Sequence, residues 1–117
     1  MSGIQRLDRG PRMSQAVIHG DTIFTAGTVA DDPQADVGAQ TRNILEKLES
    51  LLERAGSDKH HLISATIWLS DMAGFDAMNA VWDVWVSREH PPVRATVEAR
   101  LAFPDLKVEI AVVAAKS

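Results

Sequence analysis

The sequence of 117 residues contains no cysteine and no tyrosine, and its only aromatic residues are three phenylalanines and three tryptophans. Without cysteine there is no disulfide framework, no thiolate nucleophile and no Cys-based metal site, so stability has to come from packing. No apolar run approaches the roughly 20 residues that cross a bilayer, and the polar start Met1-Ser2-Gly3-Ile4-Gln5-Arg6 lacks the apolar stretch of a secretory signal. A protein that stays in the cytoplasm is expected. Glycines stand singly, so the phosphate loops GxGxxG and GxxxxGK[ST] are missing, and no GxSxG elbow is present. The four histidines, His19, His60, His61 and His90, have no i, i+4 partner, so no metal site is expected and each is read as a surface or helix-end residue.

What is present is an ordinary globular composition, 45% hydrophobic and 24% charged. At this length residues 1–117 form a single domain. The net charge of −4 and pI of about 5.5 have the wrong sign for a protein that neutralises many phosphates, which disfavours nucleic acid as a partner. The nearest basic cluster, Arg6, Arg9 and Arg12, reads as a solvated face.

Residues 15–19 and 22–26 are β-rich and flank Gly20-Asp21, which predicts a hairpin with a type II′ turn. A helix is expected from about Asp36 to a stop at Gly56, with Val37, Ile44, Leu45, Leu48, Leu51, Leu52 and Ala55 on its apolar stripe. Residues 62–69 are apolar on both alternating faces, the pattern of a strand covered on both sides. Ser70 or Asp71 can cap a second helix that carries Phe75, Met78, Trp82, Trp85 and Val86 on one stripe and ends at His90-Pro91-Pro92. Strands at 93–101 and 107–114 follow, and a short one is possible at 4–8. The order is ββαβαββ, an α+β fold with two helices on one face of a sheet. Since the helices cover one face only, the doubly apolar strand calls for a second cover, and another copy of the chain can supply it; the alternative is cover by the chain's own loops.

On the strand from Val93 the period of two sets Arg94, Thr96, Glu98 and Arg100 on one face. Glu109 stands among the apolar residues Val108, Ile110, Val112 and Val113 and is expected on a partner strand close to this row. Two readings are open: Arg94 and Glu109 pair with Glu98 and Arg100 across the strands, or Arg94 offers its fork to a ligand carboxylate while Glu109 holds a water or moves a proton. Asn79 sits at the edge of the second helix stripe, as a buffer toward the loop or as part of a site. Trp68, Trp82 and Trp85 read as core or interface packing.

Taken together, 71–79 (DMAGFDAMN), 92–98 (PVRATVE) and 108–110 (VEI) resemble the successive C-terminal signatures of the Rid (YjgF, L-PSP) family. Thr25-Ala26-Gly27-Thr28, Gln40-Thr41 and Ala55-Gly56 resemble its earlier motifs, so the likeness covers nearly the whole chain. The resemblance implies a chorismate-mutase-like fold, a homotrimer with clefts between subunits, no cofactor, and hydrolysis of reactive 2-imino or 2-enamino acids to 2-keto acids and ammonia. It implies that Arg94 grips the substrate carboxylate, that Glu109 serves the attacking water, and that the backbone N–H of Thr96 helps hold the carboxylate. Asn79, Ala26, Gly27 and Met13 complete the implied substrate-binding set. Met13 stands where the family's deaminases usually have tyrosine, and Ala26 where serine is common. A trimer that binds small carboxylates without turnover is the alternative, and a ribonuclease or translation inhibitor is the third reading, opposed by the acidic charge.

Overall fold

The computed structural model describes residues 3–117. The strands are β1 (Ile4–Leu7), β2 (Ala16–His19), β3 (Thr22–Thr25), β4 (Thr28–Val29), β5 (Leu62–Leu69), β6 (Val93–Glu98) and β7 (Val108–Ala115). The helices are α1 (Val37–Ala55) and α2 (Phe75–Trp85), with 3-10 turns at Lys59–His61 and Met72–Gly74. One sheet runs β1-β2-β3-β7-β5-β6, and β4 continues β3 along β7. Only β5 and β6 are parallel, joined by the α2 crossover, and all other pairs are antiparallel.

The β2–β3 hairpin turns where expected. Gly20 has φ 62, while Asp21 is not among the residues with positive φ, which is the II′ pattern. Helix α1 begins at Asp36, whose side chain accepts a hydrogen bond from the Ala39 N–H at 2.8 Å. It ends at Gly56, held in the left-handed region at φ 93, where its N–H reaches the carbonyls of Leu52 and Glu53. Ile44, Leu45, Leu48 and Leu52 are buried against Ile67, Leu69, Val108 and Ile110 of the sheet. Both helices therefore cover one face.

The second helix differs from expectation at both ends. Asp71 caps the 3-10 turn, accepting from the Ala73 N–H at 2.9 Å, and α2 itself opens at Gly74 without a side-chain cap. It stops at Trp85, five residues before His90, because Val86 turns extended at ψ 145. That turn keeps the Val86 side chain on the core instead of carrying it around the helix. Strand β6 likewise stops at Glu98, short of Leu101, and β4 is a strand not foreseen from the sequence.

A buried polar clamp ties the start of α1 to the loop before β7. Gln40 is fully buried; its Nε2 donates to the carbonyls of Pro33, Ala35 and Asp105 at 3.2, 3.0 and 3.3 Å, and its Oε1 accepts from the Lys107 N–H at 2.9 Å. Leucine here would keep the volume and strand these partners. Gln40→Leu is therefore expected to cost about 2–4 kcal/mol, since each buried group left unpaired costs about 1–3; urea denaturation would measure it, and an unchanged midpoint would show that water replaces the amide.

Strand β5 is buried on one face only within a single chain. Ala65, Ile67 and Leu69 are under the helices, whereas Ser64, Thr66 and Trp68 are half-buried on the opposite face. Large apolar side chains on that face stay exposed, with Phe24 at 46% and Val97 at 44%.

Candidate functional site

The sheet order sets where the candidate groups fall. Strands β6 and β7 are not neighbours; β5 lies between them, because the parallel crossover puts β6 on one side of β5 and β7 returns antiparallel on the other. The expected pairing of Arg94 and Glu109 with Glu98 and Arg100 across adjacent strands does not occur. Arg94 is in register with Ala65, which is buried beneath the helices, so it shares the helix side of the sheet. Glu109 is in register with Trp68, as is Val97 from β6, so Glu109 shares the open side. The two residues thus project to opposite faces, with a strand between them.

The first group gathers on the helix side at β6. The Arg94 Nη1 donates to the Asn79 Oδ1 of α2 at 2.7 Å, and its guanidinium carbon stands 5.9 Å from the Phe75 ring centroid and 5.5 Å from that of Trp82. Two aromatic faces and an amide therefore hold the fork in one orientation. The ion pairs among the described residues are Lys47–Asp31, Arg54–Asp8, His61–Asp58 and His90–Glu89, and Arg94 is in none of them. Asn79 is thus the orienting partner of Arg94 and not a buffer toward the loop. Two residues along the same face, the Thr96 hydroxyl is buried without a hydrogen-bond partner among the described residues. Glu98 is occupied elsewhere, accepting from the Met72 N–H at 2.8 Å.

The second group gathers around β4 and the loop before β2. Gly27 lies against Glu109, so close that a side-chain carbon at Gly27 would come within 2.9 Å of the Glu109 carboxyl carbon. Met13 and Gly27 line a cavity of about 680 Å³ with Gln15, Thr28, Lys47 and Arg54. Ala26 joins this group through its N–H, which donates to the Gln15 carbonyl at 2.9 Å. Arg54, at the rim, grips Asp8 by two hydrogen bonds of 3.0 and 2.7 Å and holds that carboxyl below its usual range, while the Arg54 pKa is raised in return. Lys47 lowers Asp31 by hydrogen bond and charge, and the His61 side chain lowers Asp58 by hydrogen bond.

The remaining residues singled out from the sequence have plain roles. Trp82 is buried beside Arg94, and Trp85 donates to Glu49 of α1 at 2.6 Å. Trp68 is half-buried on the open face. Arg6, Arg9, Arg12 and all four histidines are exposed. No group of three or more His, Asp or Glu among the described residues is placed to hold a metal ion, and no helix there is long and apolar enough to cross a membrane.

A mixed sheet covered on one face by two helices, with one parallel crossover and an open apolar face, defines a small two-layer α+β protein. The chain belongs to the Rid family, known also as YjgF or RutC. The family described as Endoribonuclease L-PSP matches residues 4–116. The RutC family protein YoaB of Escherichia coli K12 is 46% identical over 112 residues, which cover 96% of this chain and 97% of that protein. A YjgF-family protein of Neisseria meningitidis superposes with a TM-score of 0.95 at 40% identity, covering 98% of this chain and 96% of that one. A member of the YjgF/YER057c/UK114 family from Mycobacterium tuberculosis superposes with a TM-score of 0.87 at 27% identity, covering 97% and 99%.

Proposed function

We propose that the chain is an imine/enamine deaminase that works as a homotrimer, with each site assembled from the Arg94 group of one copy and the Glu109 group of another. The observation that carries this reading is the placement of Arg94 and Glu109 on opposite faces of one sheet. A ligand of a few atoms cannot bridge them within one chain, yet the open apolar face that bears Glu109 is suited to a second copy. Family membership supports the same assembly.

In this reading Arg94, oriented by Asn79, forms charge-assisted hydrogen bonds to the substrate carboxylate. The Thr96 N–H adds a further donor, and Met13, Ala26 and Gly27 wall the side opposite. The carboxylate of Glu109 orients a water beside the imine carbon and accepts its proton as the C–O bond forms. The resulting tetrahedral carbinolamine takes that proton on nitrogen. The hydroxyl of the carbinolamine then gives its proton to Glu109, which passes it to the departing nitrogen; the C–O bond becomes C=O as the C–N bond breaks, ammonia leaves, and the 2-keto acid remains. An enamine enters the same sequence after a proton reaches its β-carbon. Water, one cation and one proton acceptor suffice, with no metal or cofactor in the scheme.

The test is release of 2-keto acid and ammonia from imines generated in situ. Acceleration over the spontaneous rate is expected with wild-type protein and its absence with Glu109→Gln. Saturable binding of 2-keto acids without any acceleration would instead favour a regulatory trimer.

A further inference from the structure

The edge of the sheet beside Glu109 contains an irregularity that the register makes explicit. Phe24 of β3 faces Val113 and Thr28 of β4 faces Ile110, so one chain advances four residues while β7 advances three. Thr25, Ala26 and Gly27 therefore stand opposite Val112 and Ala111, a β-bulge with one extra residue. A bulge leaves ladder groups of the facing strand without their regular partners. Here a side chain replaces them: the Thr25 hydroxyl accepts from the Val112 N–H at 2.9 Å and donates to the Val112 carbonyl at 3.3 Å.

The bulge brings Gly27 under the end of the Glu109 side chain. A side-chain carbon there would stand 2.9 Å from the carboxyl carbon and 3.2 Å from Cγ, and closer still to Oε2. These atoms are the far end of a flexible chain, so a larger residue at 27 is accommodated by swinging the carboxylate away and not by moving the strand. The volume that only glycine leaves free is thus the volume in which the carboxylate rests.

We propose that Thr25 and Gly27 are positioning residues for Glu109: Thr25 clips the bulge to Val112, and the bulge holds Gly27 where the Glu109 carboxylate lies in a single orientation. The inference rests on the deaminase reading, because it is the aim of Glu109 at the water that the bulge secures. A carboxylate displaced by about 1 Å loses rate on the order of 100-fold, while a carboxylate grip at the other end of the substrate is untouched. The signature is therefore a fall in kcat without a matching change in KM.

The experiment compares wild type, Thr25→Val, Thr25→Ser and Gly27→Ala, assayed well below their unfolding temperatures with assembly checked by sedimentation. Thr25→Val keeps the shape of the side chain and removes the hydroxyl; Thr25→Ser keeps the hydroxyl and removes a methyl. The expected result is a drop in kcat on the order of 100-fold for Thr25→Val and Gly27→Ala, at nearly constant KM for Thr25→Val, which lies outside the substrate wall, with Thr25→Ser close to wild type. In parallel, NMR couplings of the labelled Glu109 side chain are expected to report one rotamer in wild type and in Thr25→Ser, and averaging or a different rotamer in the other two. Wild-type kcat in Thr25→Val, or an unchanged Glu109 rotamer in both altered proteins, would overturn the proposal. If wild type itself fails to hydrolyse imines, the deaminase reading falls, and the rotamer comparison alone decides whether the bulge positions Glu109.

Discussion

Replacing Arg94 by alanine is expected to reduce kcat/KM for imino-acid hydrolysis by at least about 100-fold, because charge-assisted hydrogen bonds contribute about 1.5–3 kcal/mol each and a tenfold loss of rate corresponds to about 1.4 kcal/mol. The folded state should lose far less. Arg94 gives up one hydrogen bond to Asn79 and its packing on Phe75 and Trp82, together about 1–2 kcal/mol, and leaves no carboxylate stranded among the described residues. Arg94→Lys should be nearly as damaging to turnover. An ammonium retains the charge and loses both the planar fork and its stacking between two rings. Melting temperature and imine hydrolysis, measured side by side for both variants, check this. Turnover at the wild-type rate by Arg94→Ala would remove Arg94 from the site, whereas collapse of the fold would mean that its contacts with α2 are chiefly structural.

Placing a carboxylate at Ala111 is expected to abolish both assembly and activity. Ala111 lies on the open face, in register with Thr66, which is in turn in register with Ala95, so small residues line the middle of that face. In a single chain the position is half-buried and a carboxylate there can reach water. Against the face of a second copy it would be desolvated without a partner, at several kcal/mol per interface. Ala111→Asp should therefore sediment near the 12.7 kDa of one chain, with helix and strand content retained. Because the proposed site needs Arg94 and Glu109 from different copies, turnover should disappear with assembly. A trimeric, active Ala111→Asp protein would place the interface elsewhere, and a monomeric wild type that still hydrolyses imines would sink the composite site.

How much of this was legible in the sequence differs from element to element. The hairpin at Gly20, the length of α1, its cap at Asp36 and its stop at Gly56 follow from local chemistry, since positive φ, side-chain capping and a 3.6-residue stripe are properties of neighbouring residues. The ends of α2 were less legible. Asp71 caps a 3-10 turn before the helix, and Val86 leaves the helix for the core, a preference set by contacts distant in sequence.

The candidate residues show the same division more sharply. The alternation from Val93 determines that Arg94 and Thr96 share a face, and the resemblance to the family motifs points to Arg94 and Glu109. The sequence alone could not say that β5 lies between the strands that bear them, because the pairing of β6 and β7 depends on which edge each connection delivers its strand to. Nor could it show that Asn79 and two aromatic rings orient Arg94, or that one extra residue in the strand opposite β7 sets Gly27 beneath Glu109. Composition and periodicity are fixed by local order along the chain; strand order, register and the bulge are settled only when distant segments pack, and here those decide that Arg94 and Glu109, the two groups of the proposed reaction, stand on opposite faces of the same sheet.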